Sequence, residues 1–404
     1  MRVLFRRLFR VLRRRLRALM RGIARLMPHP RPRAGHGDGQ RRPIERVVVF
    51  ARLPNPTLDY YLTARLEAPG MPPSVIVDIR DETLGAVDPV GTFVIVCRYA
   101  TARLVTWVER HASSLAGVGY FTDDDLGAVI TGSEAKLGYR LFLWWRGLAP
   151  LRRLNPHIDV VWTSTPALAE ALHDPRIRVL PPAPHPTTWK SVAPVGAADD
   201  RVRIVYHATG VHVREHRFLV PIVAAVLAAR PQAVFEVVVD ERTERFWRGL
   251  DRVEIRRPVS WSEYLARTRD ESADIALVPL LPSQVNRTRA GTKRIDVVRL
   301  GAAGVFSASL AYGDADEAGE IRLANRRRLW ILTILRLVDD APLRKSVAAA
   351  SHDHVVAMAK RAAEGVPEVL RPDPAAVGNG GDTPAPDSSI PIASAGTARP
   401  LMWL

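Results

Sequence analysis

Cysteine is almost absent from this chain. Cys97 stands alone among 404 residues, which excludes an internal disulfide or a multi-cysteine metal site and leaves that thiol as a small core residue. Lysine is nearly as scarce, five against 53 arginines. Long hydrophobic runs are missing too: no stretch reaches the roughly 18 uncharged apolar residues of a membrane-spanning helix, so no transmembrane segment is expected. Several enzyme signatures are also lacking. The sequence has no GxxxxGK[ST] loop, no HExxH, no GxSxG and no complete GxGxxG, so nucleoside triphosphatase, zinc protease, serine hydrolase and standard dehydrogenase readings gain no support.

Acidic residues are missing from one region in particular, and this decides how the net charge of +16 is read. Residues 1–46 carry fifteen arginines against only Asp38 and Glu45, so +13 of the +16 lies there and the remaining 358 residues are nearly balanced. A basic arm on a neutral body argues against a nucleic-acid-binding domain. Within residues 1–27, Phe5, Phe9, Leu12, Leu16, Leu19, Ile23 and Leu26 recur at steps of three and four, and ten arginines take half of the other positions. That pattern reads as an amphipathic helix lying on an anionic membrane surface. A presequence of the mitochondrial type and an upstream, misassigned start remain as rival readings. Residues 28–45, rich in proline, glycine and arginine, read as a flexible linker.

What remains is a globular composition, 47% hydrophobic and 25% charged, of a length that suits two core-forming domains. From residue 46 onward short β-branched runs alternate with helical periods. The runs are RVVVFAR, SVIVDIR, TFVIVCR, VGYFT, DVVWTS and IRVLP, and then, after a break at 182–200, RVRIVYHA, VFEVVVD, VEIRRPV, DIALVPL and GVFSAS. Strand and helix in alternation predict a parallel sheet covered on both faces. The reading is therefore an α/β chain with an N-terminal doubly wound domain over 46–190, a second over 200–365, and a disordered tail over 366–404. Ligands of such sheets sit at the carboxyl ends of the strands, so the chemistry is expected in the loops after strands, facing the cleft between the domains.

Four loops carry candidate residues. After RIVYHA, the turn TGVHVRE supplies Thr209 and Gly210, where a bare backbone can approach an anion, and His212 and Arg214, which can contact phosphate oxygens; solvated turn residues are the plainer alternative. After DIALVPL, a long loop with Asn286 leads to Gly291, Thr292 and Lys293 at the start of a helix. A helix start with a lysine beside it suits a diphosphate, and Asp296 one turn along can accept hydrogen bonds from ribose hydroxyls. Gly301 and Gly304 at the other end are explained by close packing of helix and strand. In the first domain, Asp123, Asp124 and Asp125 end a strand; alternate side chains leave a strand in opposite directions, so a shared metal is disfavoured against helix capping or contacts to sugar hydroxyls. Arg98 ends another strand as an anion contact. His111, His352 and His354 read as structural or surface residues.

These residues resemble the nucleotide-sugar glycosyltransferases of the two-domain GT-B type, close to glycosyltransferase family 4 and its bacterial polysaccharide-type members. The similar stretches are YFTDDDL, VVWTSTPALAEAL, IVYHATGVHVREHRFLVPIV, the segment from SWSEYL through GVFSAS, and GEIRLANRRRLWILTILRLVDDAPLR. The resemblance covers about 46–360 and implies a closing strand, short loop and Trp-bearing helix. It also implies donor binding by the second domain, acceptor binding by the first, and no obligatory metal or cofactor. It sets Gly210, His212, Asn286, Lys293 and Asp296 around the donor, with Lys293 and His212 as candidate catalytic residues and Arg98, Asp123, Asp124 and Asp125 on the acceptor side. One departure is visible. Where family 4 often shows Glu-x7-Glu, Asp296 takes the second place and Thr288 the first. The implied activity is transfer of a sugar from a nucleoside diphosphate donor to an envelope glycan or a lipid-linked acceptor, in a cytoplasmic protein bound peripherally to the inner membrane face. The missing glutamate keeps a catalytically silent, membrane-docked relative as the alternative.

Overall fold

The computed structural model describes residues 26–34, 42–81, 84, 86–132, 135–189, 201–208, 212–313 and 319–370, together with Gly22. The proposed amphipathic segment 1–27 therefore lies almost wholly outside the described residues, as do Thr209 and Gly210. No helix among the described residues is long and apolar enough to cross a membrane.

Each predicted domain is a six-stranded parallel sheet. The first consists of β1 (Arg46–Ala51), β2 (Ser74–Asp78), β3 (Thr92–Cys97), β4 (Gly117–Thr122), β5 (Val160–Thr163) and β6 (Arg178–Val179), in the order β2-β1-β3-β4-β5-β6. Helices α1 (Pro56–Tyr61), α2 (Ala102–His111), α3 (Leu126–Thr131), α4 (Leu137–Leu143) and α5 (Pro166–Leu172) connect these strands. α4 continues into a π-helical turn over Trp144–Leu148. Strands β3 and β4 are buried along their whole length, as continuous apolar runs covered on both faces must be. Cys97 ends β3 inside this core.

The second sheet contains β7 (Val202–His207), β8 (Ala233–Val238), β9 (Val253–Arg256), β10 (Ile275–Val278), β11 (Ala303–Ser307) and β12 (Ile321–Leu323), in the order β12-β11-β10-β7-β8-β9. Among its helices are α6 (Val213–Ala229), α7 (Trp261–Arg267), α8 (Gln284–Arg287), α9 (Lys293–Arg299), α10 (Arg327–Asp339) and α11 (Ala341–Lys360). Strand order reverses between β1 and β3 in the first sheet and between β7 and β10 in the second, and such reversals open a crevice at the carboxyl ends of the strands.

Two boundary expectations are corrected. Residues 28–34 do not behave as a linker. Pro28, Pro30 and Pro32 alternate with residues whose N–H groups are used: Arg31 N donates to Asn155 Oδ1 at 3.2 Å and Arg33 N to the Ile158 carbonyl at 2.7 Å, while Arg33 pairs with Asp159 at 2.6 Å. Residues 366–370 do not belong to a disordered tail either, and residues 371–404 lie outside the described residues. Val366 and Leu370 of α12 (Val366–Leu370) are fully buried in a cluster with Val47, Leu62 and Trp162 of the first domain and Val355 of α11, so the chain returns to the first domain after α11.

Candidate functional site

A cavity of about 240 Å³ lies between the two sheets, walled by residues that follow β1, β3 and β4 on one side and β7, β9 and β10 on the other. It sits where the two strand-order reversals face each other. On the first-domain side Asn55 caps α1, its Oδ1 accepting from Thr57 N at 3.0 Å. This fixes Thr57, whose hydroxyl donates to Asp123 Oδ2 at 2.9 Å. Arg98 leaves β3 with φ of 66°, a left-handed conformation unfavourable for a side-chain-bearing residue and of the sort that persists where surroundings enforce it. Its guanidinium lies 3.1 Å from Asp123 Oδ1, 2.9 Å from Asp124 Oδ2 and 3.2 Å from the Thr57 hydroxyl.

The two aspartates therefore share a guanidinium and differ in electrostatics. Burial raises the Asp123 pKa against the pull of Arg98. Asp124 is equally buried, but Arg289, Arg98 and His212 outweigh the burial and lower its pKa. Asp125 takes no part on this wall. Its carboxylate caps α3, accepting from Ala128 N at 2.8 Å; the capping alternative accounts for it, and the acceptor-side role assigned to it has no geometric basis here.

On the second-domain side, His212 precedes α6 with its ring largely buried. Burial is the first cause of its lowered pKa, Glu215 pulls the other way, and Arg289 adds to the burial. His212 Nδ1 stands 3.8 Å from Glu215 Oε2, and Nε2 is 3.5 Å from Arg289 Nη1. Arg289 reaches across the cavity to Asp124 Oδ1 at 3.9 Å, and its Nε is buried with no hydrogen-bond partner among the described residues. Helix α9 begins at Lys293 without a side-chain cap, and Thr292, Lys293 and Asp296 all lie on the cavity wall. Lys293 Nζ donates to Asp296 Oδ2 at 2.6 Å, and the Tyr60 hydroxyl of the first domain donates to Asp296 Oδ1 at 2.6 Å. Both oxygens of Asp296 are thus occupied, one of them from the opposite domain.

Three other expected residues stand off the wall. Asn286 is buried with its amide nitrogen donating to Glu215 Oε1 at 3.0 Å and to the Leu281 carbonyl at 2.8 Å; it supports Glu215 from inside the fold. Arg214 directs Nη1 to the Pro282 carbonyl at 3.0 Å. Gly291 answers to packing, since a Cβ there would come within 2.6 Å of the Ala311 carbonyl and of Arg294 Nη1. Gly304 meets the packing explanation given for it, facing the Phe306 ring and Val297 of α9. His354 stands 3.5 Å from the buried Glu320, while His352 is half exposed.

Sequence reading missed part of the wall. Arg289 was passed over although it sits in the loop singled out, one of several arginines with nothing to distinguish it. Thr57 and Tyr60 were missed because the first βα loop, NPTLDYY, shows no glycine or charge cluster; its position after β1, at the strand-order reversal, was the available signal. Trp261 and Tyr264 also line the cavity, their rings stacked at 5.7 Å and 18°. With Val205, Val238, Pro258 and Val259 they give it an apolar part beside the charged one.

No family profile and no curated protein matches the chain. Solved structures do match. HepE of Anabaena, solved with UDP and glucose, aligns with a TM-score of 0.51 at 11% identity, covering 81% of this chain and 99% of that one. WaaG, a glycosyltransferase involved in lipopolysaccharide biosynthesis, aligns with a TM-score of 0.51 at 14% identity, covering 78% of this chain and 98% of that one. The chain also spans about half the length of TarM from S. aureus, 54% of that chain at a TM-score of 0.45. At these identities the likeness establishes a shared architecture: two parallel doubly wound sheets in the GT-B arrangement.

Proposed function

We propose that the cleft transfers a sugar from a nucleoside diphosphate donor to an envelope glycan or lipid-linked acceptor. One observation carries this reading. Lys293, Arg289 and the uncapped start of α9 converge on a cavity whose opposite wall holds Arg98, Asp123 and Asp124, within the fold that HepE and WaaG also adopt. The glycosidic bond to phosphate breaks with its electron pair going to the departing diphosphate. Cations fixed beforehand in a water-poor cleft stabilise that charge as it forms, without reorganising. Arg289 is so fixed between Asp124 and His212, Lys293 is held by Asp296 with its side chain partly exposed, and Arg289 Nε, without a partner among the described residues, is a further donor. The apolar walls at Val238, Pro258 and Val259 suit a flat base.

On the other wall a hydroxyl-bearing acceptor meets the carboxylates. Asp123, with its raised pKa, is the better proton acceptor of the two, and Thr57 holds it in place. His212 orients Arg289 through Nε2 and is itself backed by Glu215. Holding donor and acceptor together in this geometry supplies much of the rate. The basic, apolar-faced segment 1–27 fits peripheral attachment to an anionic membrane on the cytoplasmic side, a reading supported by its sequence period; deleting residues 1–26, while keeping the docked 28–34, is expected to weaken binding to anionic vesicles. Sugar transfer is tested by offering UDP-, GDP- and ADP-sugars and recording thermal stabilisation and slow donor hydrolysis. At least one donor is expected to stabilise the protein and release its sugar; no response to any of them refutes the proposal.

A further inference from the structure

Helix α4 and its π turn carry an outward apolar stripe that the fold does not use. Leu137, Leu141 and Trp145, four residues apart, are 68%, 60% and 69% exposed, and a Cβ on the adjacent Gly138 would meet open space. The inner side is ordinary core, with Leu143 and Leu148 buried and Tyr139, Phe142 and Trp144 packed against the first domain's hydrophobic cluster. Between Lys136 and Arg153 the sequence has five cations and no carboxylate. Lys136 meets Asp240 at 3.1 Å and Arg153 meets Glu109, which leaves Arg140, Arg146 and Arg152 without a carboxylate partner among the described residues. Arg140 donates to a neutral carbonyl, that of Ile130.

Met27, the residue that closes the basic N-terminal segment, packs close by. Met27 lines a cavity of about 50 Å³ together with Leu126 and with Leu148, the last residue of the π turn. The 26 residues before it hold ten arginines and no acid. Three occupants of the stripe can be compared. A second copy of the chain finds three side chains where a stable interface buries roughly 800 Å² on each partner. The arm itself would bring ten arginines against Arg140, Arg146 and Arg152 with no acid between them. An anionic lipid surface accepts both elements at once, taking the leucines and the amphipathic indole at its boundary and the cations at its headgroups.

We propose that Leu137, Leu141 and Trp145 form the folded first domain's own contact with an anionic membrane surface, beside the N-terminal arm. The same helix adjoins the acceptor wall, because the Ala100 N–H, two residues past Arg98, donates to the Arg146 carbonyl at 2.8 Å. Docking therefore presents the Arg98 side of the cleft to the lipid surface, and this last consequence alone rests on the proposed transfer.

The test uses the full-length chain and sedimentation with vesicles of phosphatidylcholine containing phosphatidylglycerol, or of phosphatidylcholine alone. Leu141→Ser/Trp145→Ser is expected to bind the anionic vesicles at least about tenfold more weakly, with an unchanged melting temperature and unchanged stabilisation by nucleotide sugars. Brominated acyl chains are expected to quench the wild-type tryptophan fluorescence more than that of Trp145→Phe. Equal vesicle binding by the double variant, equal binding to vesicles lacking phosphatidylglycerol, or a dimer in solution that the double variant abolishes would each overturn the proposal. Because vesicle binding needs no turnover, an inactive cleft leaves it standing, and a donor-responsive cleft with no lipid contact refutes it alone.

Discussion

Replacing Tyr60 by phenylalanine removes one hydroxyl and leaves the ring where it is, edge-on to Trp261 at 5.3 Å between centroids. The lost bond is the 2.6 Å contact across the domain boundary to Asp296, a residue only 6% exposed. A hydrogen bond to a charged acceptor contributes about 1.5–3 kcal/mol. Lys293 stays on the other oxygen, but its side chain is 41% exposed, so solvent screens that pair and it cannot make up the loss. The expected cost is about 2 kcal/mol in urea unfolding. The double-mutant cycle with Asp296→Asn isolates the contact: once the carboxylate is gone, Tyr60→Phe is expected to cost less than about 0.5 kcal/mol more. A single variant as stable as wild type, or costs that simply add, would show that Tyr60 and Asp296 do not join the domains.

Two further perturbations address other parts of the account. Gly291→Ala sets a Cβ 2.6 Å from the Ala311 carbonyl, backbone that cannot swing aside; a loss of about 1–3 kcal/mol in unfolding free energy is expected, together with weaker nucleotide binding because the start of α9 shifts. Glu236 is buried at 1% exposure, and although burial opposes ionisation, His207 and Arg203 hold its pKa at about 2. A depressed pKa gives stability that is complete above the ordinary glutamate value of about 4.3 and lost as pH falls toward 2. The stability gap between wild type and Glu236→Gln, followed by urea unfolding, is expected to be widest at neutral pH and to narrow over that acid range; a constant gap would contradict the ionised assignment.

Repeating architecture was more legible than chemistry. Runs such as TFVIVC and IALV announce strands because a strand covered on both faces has no polar side to show, and the alternation with helices fixes the parallel sheets. What failed was inference from composition where geometry decides. Prolines at 28, 30 and 32 look like a linker, yet Arg31 and Arg33 between and after them donate their N–H groups to the first domain. In the site, a lysine at a helix start could be read locally, whereas Tyr60 reaches Asp296 across 236 positions and no local pattern carries that information. Asn286 and Gly291 looked like ligand contacts because amides and bare glycines serve ligands and packing equally well, and only the neighbours Glu215 and Ala311 tell the two apart.

The most direct measurement is the dissociation constant of a nucleoside diphosphate for wild type and Lys293→Ala by titration calorimetry. Loss of a charge-assisted contact of about 1.5–3 kcal/mol predicts affinity weaker by roughly 10- to 150-fold, with little change in melting temperature because the lysine is partly exposed. Equal affinities in a folded variant would contradict a diphosphate seated at the start of α9.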